Sequence, residues 1–471
     1  MLTLALAAAL TAFGDGLPAA APAAVGMSAE RLEAIDRVVQ RGVSEGGYPG
    51  AAVVVGRKGS AVLQKGYGTL GWTRGSARVS AANTIYDLAS LTKVVGTTTA
   101  VMILYDEGKI DLDAPVKTYL PAFSGGNKNL VTVRHLLLHR SGLPAGRDLW
   151  RIAHTPAEAR RAVIATSLTA RPGARYEYSD LGADLLGFVV EAVAGEPLDR
   201  FLERRVFEPL GMRDTGFRPA DSLRYRVAPT EVAPPRGYPL RGEVHDENAY
   251  ALGGVAGHAG LFSTAADLSV FAQMMLNGGV YDGVRIVREE TVRLFTRREK
   301  GSRALGWDTA EGGVGAGRYL TDRAYGHTGY TGTSIWIDPE REMFVILLTN
   351  RVHAAKARRP ARVISDVRAD LADAAAFAVV DMPSYYMTKP VSYRADRAAG
   401  WNEPTPVRRA TRVRSARSKA AEKARAAAKQ KASAKKGTVK KKSTATQKGA
   451  TKSGARPSTS KSGAGKGSGG E

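Results

Sequence analysis

The chain places strand patterns at both ends of a helix-rich middle, and this order restricts its fold more than any other feature. Near the start, residues 50–57 and 60–67 run apolar or alternate around a Lys-Gly turn, which predicts an antiparallel hairpin. Near the other end, residues 333–338 and 343–349 predict a second hairpin. Such strands are expected to share one sheet with the helices inserted between them. We therefore predict an α/β (α+β) fold, an antiparallel sheet flanked by helices with an inserted helical lobe.

Apolar residues recur at helical spacing through most of the intervening chain. The first such pattern is capped by Ser28 and ends near Gly46. The helices predicted after it cover residues 91–108, 133–139, 155–165, 183–194, 197–204, 264–276 and 360–376. A single domain over residues 24–385 is large for one core, so we expect two lobes with a cleft between them.

The first 23 residues share part of the pattern of a secretory signal. Residues 2–13 form a short apolar run and small residues follow, but the first basic residue is Arg31. Since a signal normally begins with a basic segment, residues 1–23 are either a signal or a disordered leader. We expect export to the periplasm or cell envelope. No other stretch is long and apolar enough to span a bilayer.

Most of the net charge lies at the C-terminal end. Residues 391–471 contain 22 Lys and Arg against 4 Asp and Glu, a net +18 out of +23 for the chain. So few apolar side chains cannot offset the chain entropy lost on folding. We predict a disordered basic tail that either binds an anionic polymer or only keeps the protein in solution. The chain has no Cys, which excludes disulfides and thiolate metal sites.

Ser90 and Lys93 are the first candidates for catalysis. They stand three residues apart, after a strand-like run and before an apolar helical pattern, so their side chains share one helix face. Burial and the positive end of the helix both disfavour the ammonium. Lys93 is therefore expected to be neutral part of the time and to accept the Ser90 proton. A plain helix cap at Ser90 is the alternative.

Two further segments suit the same site. Tyr178 lies in a turn, where a phenol with a lowered pKa can act as general base and then as acid, unless it only packs. His327 and Gly329 precede the strand at 333–338, and small residues there let a substrate carbonyl approach the backbone. The amide of Tyr330 can join that of Ser90 as an oxyanion hole. His327 adds positive charge or a hydrogen bond, or is simply exposed in a glycine turn.

Three motifs in this order resemble those of the serine β-lactamase and penicillin-binding-protein superfamily. They are Ser90-Leu91-Thr92-Lys93, Tyr178-Ser179-Asp180 and His327-Thr328-Gly329. The chain is most similar to the class C-like branch of β-lactamases, D,D-carboxypeptidases, D-aminopeptidases and related esterases. Residues 131–143 and 253–268 also resemble that branch, and the similarity covers about residues 24–380.

The resemblance implies a role for each residue of the three motifs. Ser90 is the expected nucleophile, Lys93 and Tyr178 share proton transfer, and the amides of Ser90 and Tyr330 form the oxyanion hole. His327 takes the position that is Lys in most β-lactamases, followed by Thr328 and Gly329 at the substrate-binding strand.

Two departures from the family pattern bear on the substrate. His327 removes a permanent positive charge that would hold a substrate carboxylate, and His here is typical of esterase-like and peptidase-like members. Asp180 replaces the usual Asn and puts a negative charge where a substrate amide side chain would bind. We therefore expect a serine hydrolase that forms an acyl-enzyme on Ser90 with an ester or a D-amino-acid peptide or amide. It would have weak or no β-lactamase activity and need neither metal nor organic cofactor.

Other interpretations are weighed against this one. His135 and His139 stand four apart on a predicted helix and suit a metal, although packing and capping explain them better. Residues 245–248 are polar and loop-like, and in this family such a segment can border the cleft. The chain lacks a Gly-x-Ser-x-Gly elbow, which disfavours an α/β-hydrolase triad. The alternative function, based on the tail, is a polyanion- or cell-wall-binding protein with a catalytically idle hydrolase-like domain.

Overall fold

The computed structural model describes residues 16–311, 315–383, 387–397 and 400–403. Its strands are longest near the two ends of this part of the chain. In chain order they are β1 (Gly50–Arg57), β2 (Ser60–Gly68), β3 (Tyr86–Asp87), β4 (Gly216–Phe217), β5 (Leu261–Ser263), β6 (Val280–Tyr281), β7 (Val284–Arg285), β8 (Asp308–Thr309), β9 (Tyr325–Thr328), β10 (Ser334–Asp338) and β11 (Met343–Thr349).

The central sheet has the strand order β2-β1-β11-β10-β9-β8, and every neighbouring pair is antiparallel. Two of its strands come from the start of the chain and four from the end. The predicted hairpins supply β1, β2, β10 and β11, whereas β8 and β9 were not predicted. The first hairpin turns at Lys58 and Gly59, whose φ angles of 48° and 83° fit a two-residue hairpin turn. The predicted antiparallel sheet with inserted helices is confirmed.

Helices pack against both faces of this sheet and form the inserted lobe. They are α1 (Ala29–Ser44), α2 (Thr99–Asp106), α3 (Val133–Leu137), α4 (Leu149–Ile152), α5 (Pro156–Ala165), α6 (Asp180–Ala194), α7 (Leu198–Leu202), α8 (Glu247–Ala251), α9 (Ala265–Leu276), α10 (Glu289–Thr296), α11 (Pro360–Ala378) and α12 (Arg394–Arg397). The hydroxyls of Ser28, Thr155 and Thr264 each accept an amide of the first helical turn. Such caps satisfy amides that the helix leaves unpaired, which explains where these helices begin.

The helix predicted over 91–108 is in fact three helical segments of different type. A 3-10 turn at Ala89–Leu91 is followed by a π-helical segment at Lys93–Thr98 and then by α2. Thr99 Oγ1 donates to the carbonyl of Val94, five residues earlier, at 2.9 Å. Hydrophobic periodicity does not distinguish a π-helical turn from an α-helix, and such turns are frequent at functional sites.

Two hydrophobic cores lie on opposite faces of the central sheet, because successive side chains of a strand point to opposite faces. Along β1, Val53 and Val55 join one core, whereas Ala52 and Val54 join the other. The first core is closed by α1 and α11, and the second contains the inserted helical lobe. This division explains how a domain of this size remains well packed.

The described residues extend beyond both predicted ends of the domain. Residues 18–20 of the predicted leader pair with β2 at Ala61: the Ala20 amide donates to Ala61 O at 3.0 Å, and the Ala61 amide donates to Pro18 O at 2.9 Å. Beyond the predicted tail start at 391, Trp401 is fully buried and its Nε1 donates to Asp366 at 2.8 Å. A few apolar side chains therefore hold this part of the basic segment against α11. The rest of the predicted leader, residues 1–15, and of the tail, residues 404–471, lies outside the described residues.

A second, three-stranded sheet has the order β3-β5-β4 and was not predicted. Its strands are two or three residues long, too short for an alternating pattern to reveal. Asp87 of β3 pairs with Phe262 of β5, which fixes the backbone just before Ser90. Among the described residues, no helix has the length and apolar character that crossing a membrane requires.

Candidate active site

The turn that carries Ser90 is held from two sides. Ala89, the residue before it, has a φ of 48°, a left-handed conformation that is uncommon for a residue with a side chain. The Ala89 amide donates to Asp87 Oδ1 at 2.8 Å, and the Thr333 hydroxyl donates to Leu88 O at 2.9 Å. Strain of this kind persists only where the surroundings enforce it, and it concentrates at functional sites.

The Lys93 ammonium donates two hydrogen bonds and forms one ion pair. Its Nζ lies 3.0 Å from Ser90 Oγ, 3.0 Å from the carbonyl oxygen of His258 and 2.7 Å from Asp180 Oδ1. The hydroxyl and the amine, which sequence spacing alone placed on one face, are thus in hydrogen-bond contact.

The charge of Lys93 differs from the sequence-based expectation. Burial lowers the pKa of Lys93, but the Asp180 carboxylate and the Tyr178 phenol raise it by more, so the pKa lies above its ordinary value. Burial likewise raises the pKa of Asp180, and Lys93 lowers it below its ordinary value. The expected neutral amine is therefore wrong. Burial of Lys93 could be read from the sequence, but its pairing with a distant carboxylate could not.

Tyr178 lies between two histidine rings. Its ring centroid is 4.5 Å from that of His139 and 6.0 Å from that of His327, and Lys93 Nζ is 5.1 Å from it. The following residue, Ser179, caps α6 with its hydroxyl and donates its amide to His139 Nδ1 at 3.1 Å. Helix α6 begins at Asp180, three residues earlier than predicted, so this cap sets the position of both Tyr178 and Asp180.

His135 and His139 do not form the helical pair that a shared metal would require. Helix α3 ends at Leu137, and His139 has a φ of 53°, which turns the chain away from the helix. His135 Nδ1 accepts the Thr132 amide at 3.2 Å, while His139 Nδ1 accepts an amide from another segment. Each ring caps a different piece of backbone.

His327 is buried on β9 and carries no charge. Its Nδ1 lies 2.9 Å from Thr328 O, and because a carbonyl only accepts, Nδ1 must hold the proton. Burial lowers the pKa of His327 to about 4; Asp308 opposes this shift, and Arg303 and Lys93 add to it. Its Nε2 is buried and has no hydrogen-bond partner within the described residues. His327 can therefore still offer the expected hydrogen bond to a substrate, but it does not supply the expected positive charge.

The loop after β9 brings its backbone against the Ser90 turn. A Cβ at Gly329 would lie 2.4 Å from Leu88 O, so only glycine permits this approach. Arg368 fixes the loop by donating to the carbonyls of Gly329 and Thr333, both at 2.7 Å. The Tyr330 amide donates to no acceptor among the described residues and is free for a ligand. Thr328 lies opposite Ser334 on β10, at the end of the strand.

The Tyr330 side chain is exposed, unlike its backbone surroundings. It stacks on His245 at 5.8 Å between centroids, and the Arg351 guanidinium lies 4.5 Å from its ring centroid. The residue borders a cavity of about 550 Å³ that Glu231, Arg351 and His353 also line. Another cavity, of about 750 Å³, lies among helical-lobe segments that include Trp150 and Tyr250, and none of the predicted site residues lines it.

A buried ion network adjoins Lys93, and the sequence-based interpretation missed it. His258 Nδ1 lies 2.7 Å from Asp184 Oδ1, and its Nε2 lies 2.9 Å from Asp246 Oδ1. Burial lowers the pKa of His258, but the two carboxylates raise it well above its ordinary value. One signal was available, because Asp184 stands four residues after Asp180 and thus on the same face of α6. Asp246 belongs to the polar segment that was expected to border the cleft.

Comparison with known proteins shows the family of the chain. The family model described as Beta-lactamase matches residues 35–369 of the chain. A relative from Escherichia coli strain K12, named "Putative D-alanyl-D-alanine carboxypeptidase", is 34% identical over 378 residues, which cover 72% of this chain and 87% of the relative. A relative of the same name from Salmonella typhimurium is 34% identical over 401 residues, covering 75% and 91%.

Solved structures show the same fold at lower sequence identity. A penicillin-binding protein homolog from Caulobacter crescentus superposes with a TM-score of 0.59 at 22% identity, covering 75% of this chain and 99% of its own. EstCE1, described as a hydrolase with promiscuous acyltransferase activity, superposes with a TM-score of 0.59 at 23% identity, covering 74% and 99%. The family match spans most of the chain and includes all three motifs. The chain therefore belongs to the beta-lactamase family of serine hydrolases.

Proposed function

We propose that the protein hydrolyses its substrate through an acyl-enzyme on Ser90. The observation that carries the proposal is the 3.0 Å contact between Ser90 Oγ and Lys93 Nζ. Oγ attacks the acyl carbonyl carbon, the bond to the leaving group breaks, and the leaving group takes up a proton. Water then attacks the acyl carbon and releases Ser90.

Lys93 and Tyr178 share the proton transfers in this proposal, with their parts set by charge. Because Lys93 is held as an ammonium by Asp180, it stabilises negative charge on Ser90 Oγ and on the phenol oxygen rather than serving first as the base. Tyr178 receives the Ser90 proton and returns it to the leaving group. The amides of Ser90 and Tyr330 bind the oxyanion, and Thr328 and Gly329 form the strand edge along which the substrate lies.

The proposed substrate is an ester or a D-amino-acid peptide or amide. The names of the relatives, which denote cleavage of D-alanyl-D-alanine, support the peptide, whereas the solved structures support only the fold. An uncharged His327 and an ionised Asp180 both disfavour efficient β-lactam hydrolysis. A carboxypeptidase-like activity suits the proposed location in the periplasm or cell envelope.

The idle-domain alternative receives less support. A domain that only presents a basic tail has no need of a strained turn at Ala89 or of a buried amine against Ser90. The tail that would bind an anionic polymer lies mostly outside the described residues, so that interaction stays a prediction.

The test is covalent labelling with an activated phosphonate ester, followed by mass spectrometry of the peptide that contains Ser90. We expect one adduct on Ser90 and its loss in Ser90→Ala and in Lys93→Ala. Ser458→Ala is a matched control, because Ser458 and Lys461 have the same spacing by chance in the tail. An undiminished adduct on the Ser90→Ala protein would refute the assignment.

The substrate class is tested on the same protein. Turnover of a short acyl ester, a D-Ala-D-Ala peptide and a chromogenic cephalosporin should be detectable for the first two and weak or absent for the third. Cephalosporin turnover equal to that of the ester would overturn the proposed selectivity.

A further inference from the structure

Arg368 of α11 is a buried cation without a carboxylate partner. The residue is 7% exposed, and it forms no ion pair within the described residues. The three acidic residues of the same helix are paired with other arginines, namely Asp366 with Arg362, and Asp370 and Asp373 with Arg394. Burial and the charge of Arg351 lower the pKa of Arg368 to about 9, so the guanidinium remains charged at neutral pH. Buried charges are normally paired, and a fold keeps an unpaired one only at a cost.

The Arg368 guanidinium contacts the loop that carries part of the candidate oxyanion hole. Its Nη2 donates to Gly329 O and Thr333 O, both at 2.7 Å. These bonds are shorter than the usual N–H···O distance of about 2.9–3.0 Å, as expected when the donor is charged. Its Nε is buried and has no hydrogen-bond partner among the residues that the structure describes. In this part of the chain the cation therefore donates to backbone carbonyls and to no carboxylate.

The loop does not need Arg368 to satisfy its own backbone. Gly329 O also accepts the Gly332 amide at 3.1 Å, and Thr333 O also accepts the Gly329 amide at 2.8 Å. Loss of Arg368 would leave neither carbonyl without a donor, so the penalty of an unsatisfied buried acceptor would not arise. Holding the loop in place is thus a poor explanation for a buried charge at this position.

The Gly329 carbonyl is joined directly to the candidate oxyanion hole. Its oxygen and the N–H of Tyr330 belong to one peptide group, whose resonance moves electron density from nitrogen to oxygen. A cation bound to the oxygen favours this movement and makes the N–H a stronger donor, as bonds in a hydrogen-bond chain polarise one another. The Tyr330 amide donates to no acceptor among the described residues, so an oxyanion can receive the stronger bond.

We infer that Arg368 is a positioning residue of the oxyanion hole, which polarises the peptide group between Gly329 and Tyr330 toward the oxyanion formed on the acyl carbonyl. Buried behind the loop, it acts through the Tyr330 amide and not on the substrate itself. Its charge has the greatest effect when the carbonyl oxygen becomes negative, so it accelerates acylation more than it strengthens binding. The inference rests on the proposed acylation of Ser90 and on the place of the Tyr330 amide in the hole.

The experiment measures the strength of the oxyanion hole in the acyl-enzyme. The probe is p-nitrophenyl cinnamate with an isotopic label at its carbonyl carbon. Ser90 Oγ forms a bond to this carbon, and p-nitrophenolate leaves. Hydrogen bonding to the carbonyl oxygen weakens the C=O bond and lowers its stretching frequency, which isotope-edited infrared spectroscopy measures. The release of p-nitrophenolate gives the acylation rate.

Two replacements of nearly equal length separate charge from packing. Arg368→Lys keeps the positive charge, and Arg368→Met removes it. We expect Arg368→Met to raise the carbonyl frequency and to slow acylation by about tenfold, less than the roughly hundredfold or greater loss that follows removal of a whole oxyanion donor. Arg368→Lys should retain most of the native frequency and rate. KM should change little in either variant, because the charge acts mainly on the transition state.

Thr331→Val is the matched control for the position of the loop. The Thr331 hydroxyl holds the same loop against the segment before Ser90 by donating to Asp87 O at 2.8 Å, and it carries no charge. Its replacement loosens the loop without removing a cation, so the carbonyl frequency should shift less than in Arg368→Met. An equal shift would show that the position of the loop, and not the charge, sets the strength of the hole.

The outcomes distinguish the inference from the function on which it rests. Absence of any Ser90 adduct, with this ester and with the activated phosphonate, would overturn the proposed function. A native acyl-enzyme whose carbonyl frequency and rate of formation are the same in Arg368→Met would overturn the role of Arg368 alone. Arg368→Gln, which is also uncharged, replaces Arg368→Met if the latter does not fold. If neither uncharged variant folds, the fold itself requires the cation, and the inference is overturned.

Discussion

His258 and His327 both adjoin the candidate site and are buried to the same degree, yet their pKa values move in opposite directions. His258 is 1% exposed and His327 is 2% exposed. His258 contacts a carboxylate with each ring nitrogen, and its pKa is raised well above the ordinary value. Within the described residues the His327 ring hydrogen-bonds only to a carbonyl, and its pKa is lowered to about 4. Burial alone therefore does not decide the charge of a group, and its partners do.

The same comparison explains why Lys93 is charged. Like His258, it is buried and contacts a carboxylate, so it keeps its charge. The site is thereby divided into a charged side around Lys93 and an uncharged side around His327.

Replacing His258 should have the greatest effect on stability. His258→Gln leaves Asp184 and Asp246 without a cation, and removing one partner of a buried ion pair costs about 3–5 kcal/mol. The free energy of unfolding, measured with urea at pH 6, should fall by that amount. The double variant His258→Gln/Asp184→Asn should recover part of the loss, because it removes one uncompensated carboxylate.

The pH dependence of this effect has a defined sign. Because the folded-state pKa of His258 is raised, its stabilisation is complete below its unfolded value of about 6.5 and is lost as pH rises through the folded pKa. The free energy of unfolding of the native protein should exceed that of His258→Gln by less at alkaline pH than at pH 6. If the difference in free energy of unfolding were larger at alkaline pH, His258 would not be charged in the folded protein.

His327→Gln tests the uncharged side. Because the pKa of His327 is lowered to about 4, its contribution to stability is present above about 6.5 and is lost as pH falls toward 4. Relative to the Gln variant, the native protein should lose about 3 kcal/mol between pH 7 and pH 4. Urea unfolding across this range measures the difference. If the free energies of unfolding of the two proteins changed equally with pH, His327 would have an ordinary pKa.

Much of the fold could be predicted from local sequence signals, because those signals act over a few residues. Ser28, Thr155 and Thr264 mark helix starts, and the Lys58-Gly59 turn fixes the first hairpin. These features depend on backbone amides that need an acceptor and on residues that tolerate a positive φ. The antiparallel sheet formed from both ends of the chain followed from them.

The features that were missed depend on contacts between distant segments. The ion pair of Lys93 with Asp180 reversed the expected charge of the amine, and the pairing of Asp184 with His258 joins two segments that no spacing rule relates. Trp401 is another case, because its burial against α11 depends on a partner and not on the composition of its own segment. The three motifs were recognisable because each is short, but their electrostatics required the assembled fold.

Asp180→Asn should lower the pKa of Lys93, as the lack of a carboxylate partner does for His327. Without the carboxylate, burial continues to lower the pKa of Lys93 and its largest opposing interaction is gone, so the pKa falls. The rate of phosphonate labelling, measured from pH 6 to pH 10, should then show its Lys93 transition at lower pH than in the native protein. An unshifted profile would indicate that Asp180 does not set the charge of Lys93.

The smallest effect is expected where an ion pair is exposed. Lys65 and Asp36 lie 2.8 Å apart, as close as the buried pairs, but their side chains are 47% and 46% exposed. Solvent screens such a pair, and ordering two long side chains offsets most of the attraction, so Lys65→Ala should cost less than about 1 kcal/mol. Urea unfolding at low and high salt measures both the loss and its screening. A cost similar to that of His258→Gln would mean that separation rather than burial sets the strength of these pairs, and the contrast between the two histidines would then need another cause.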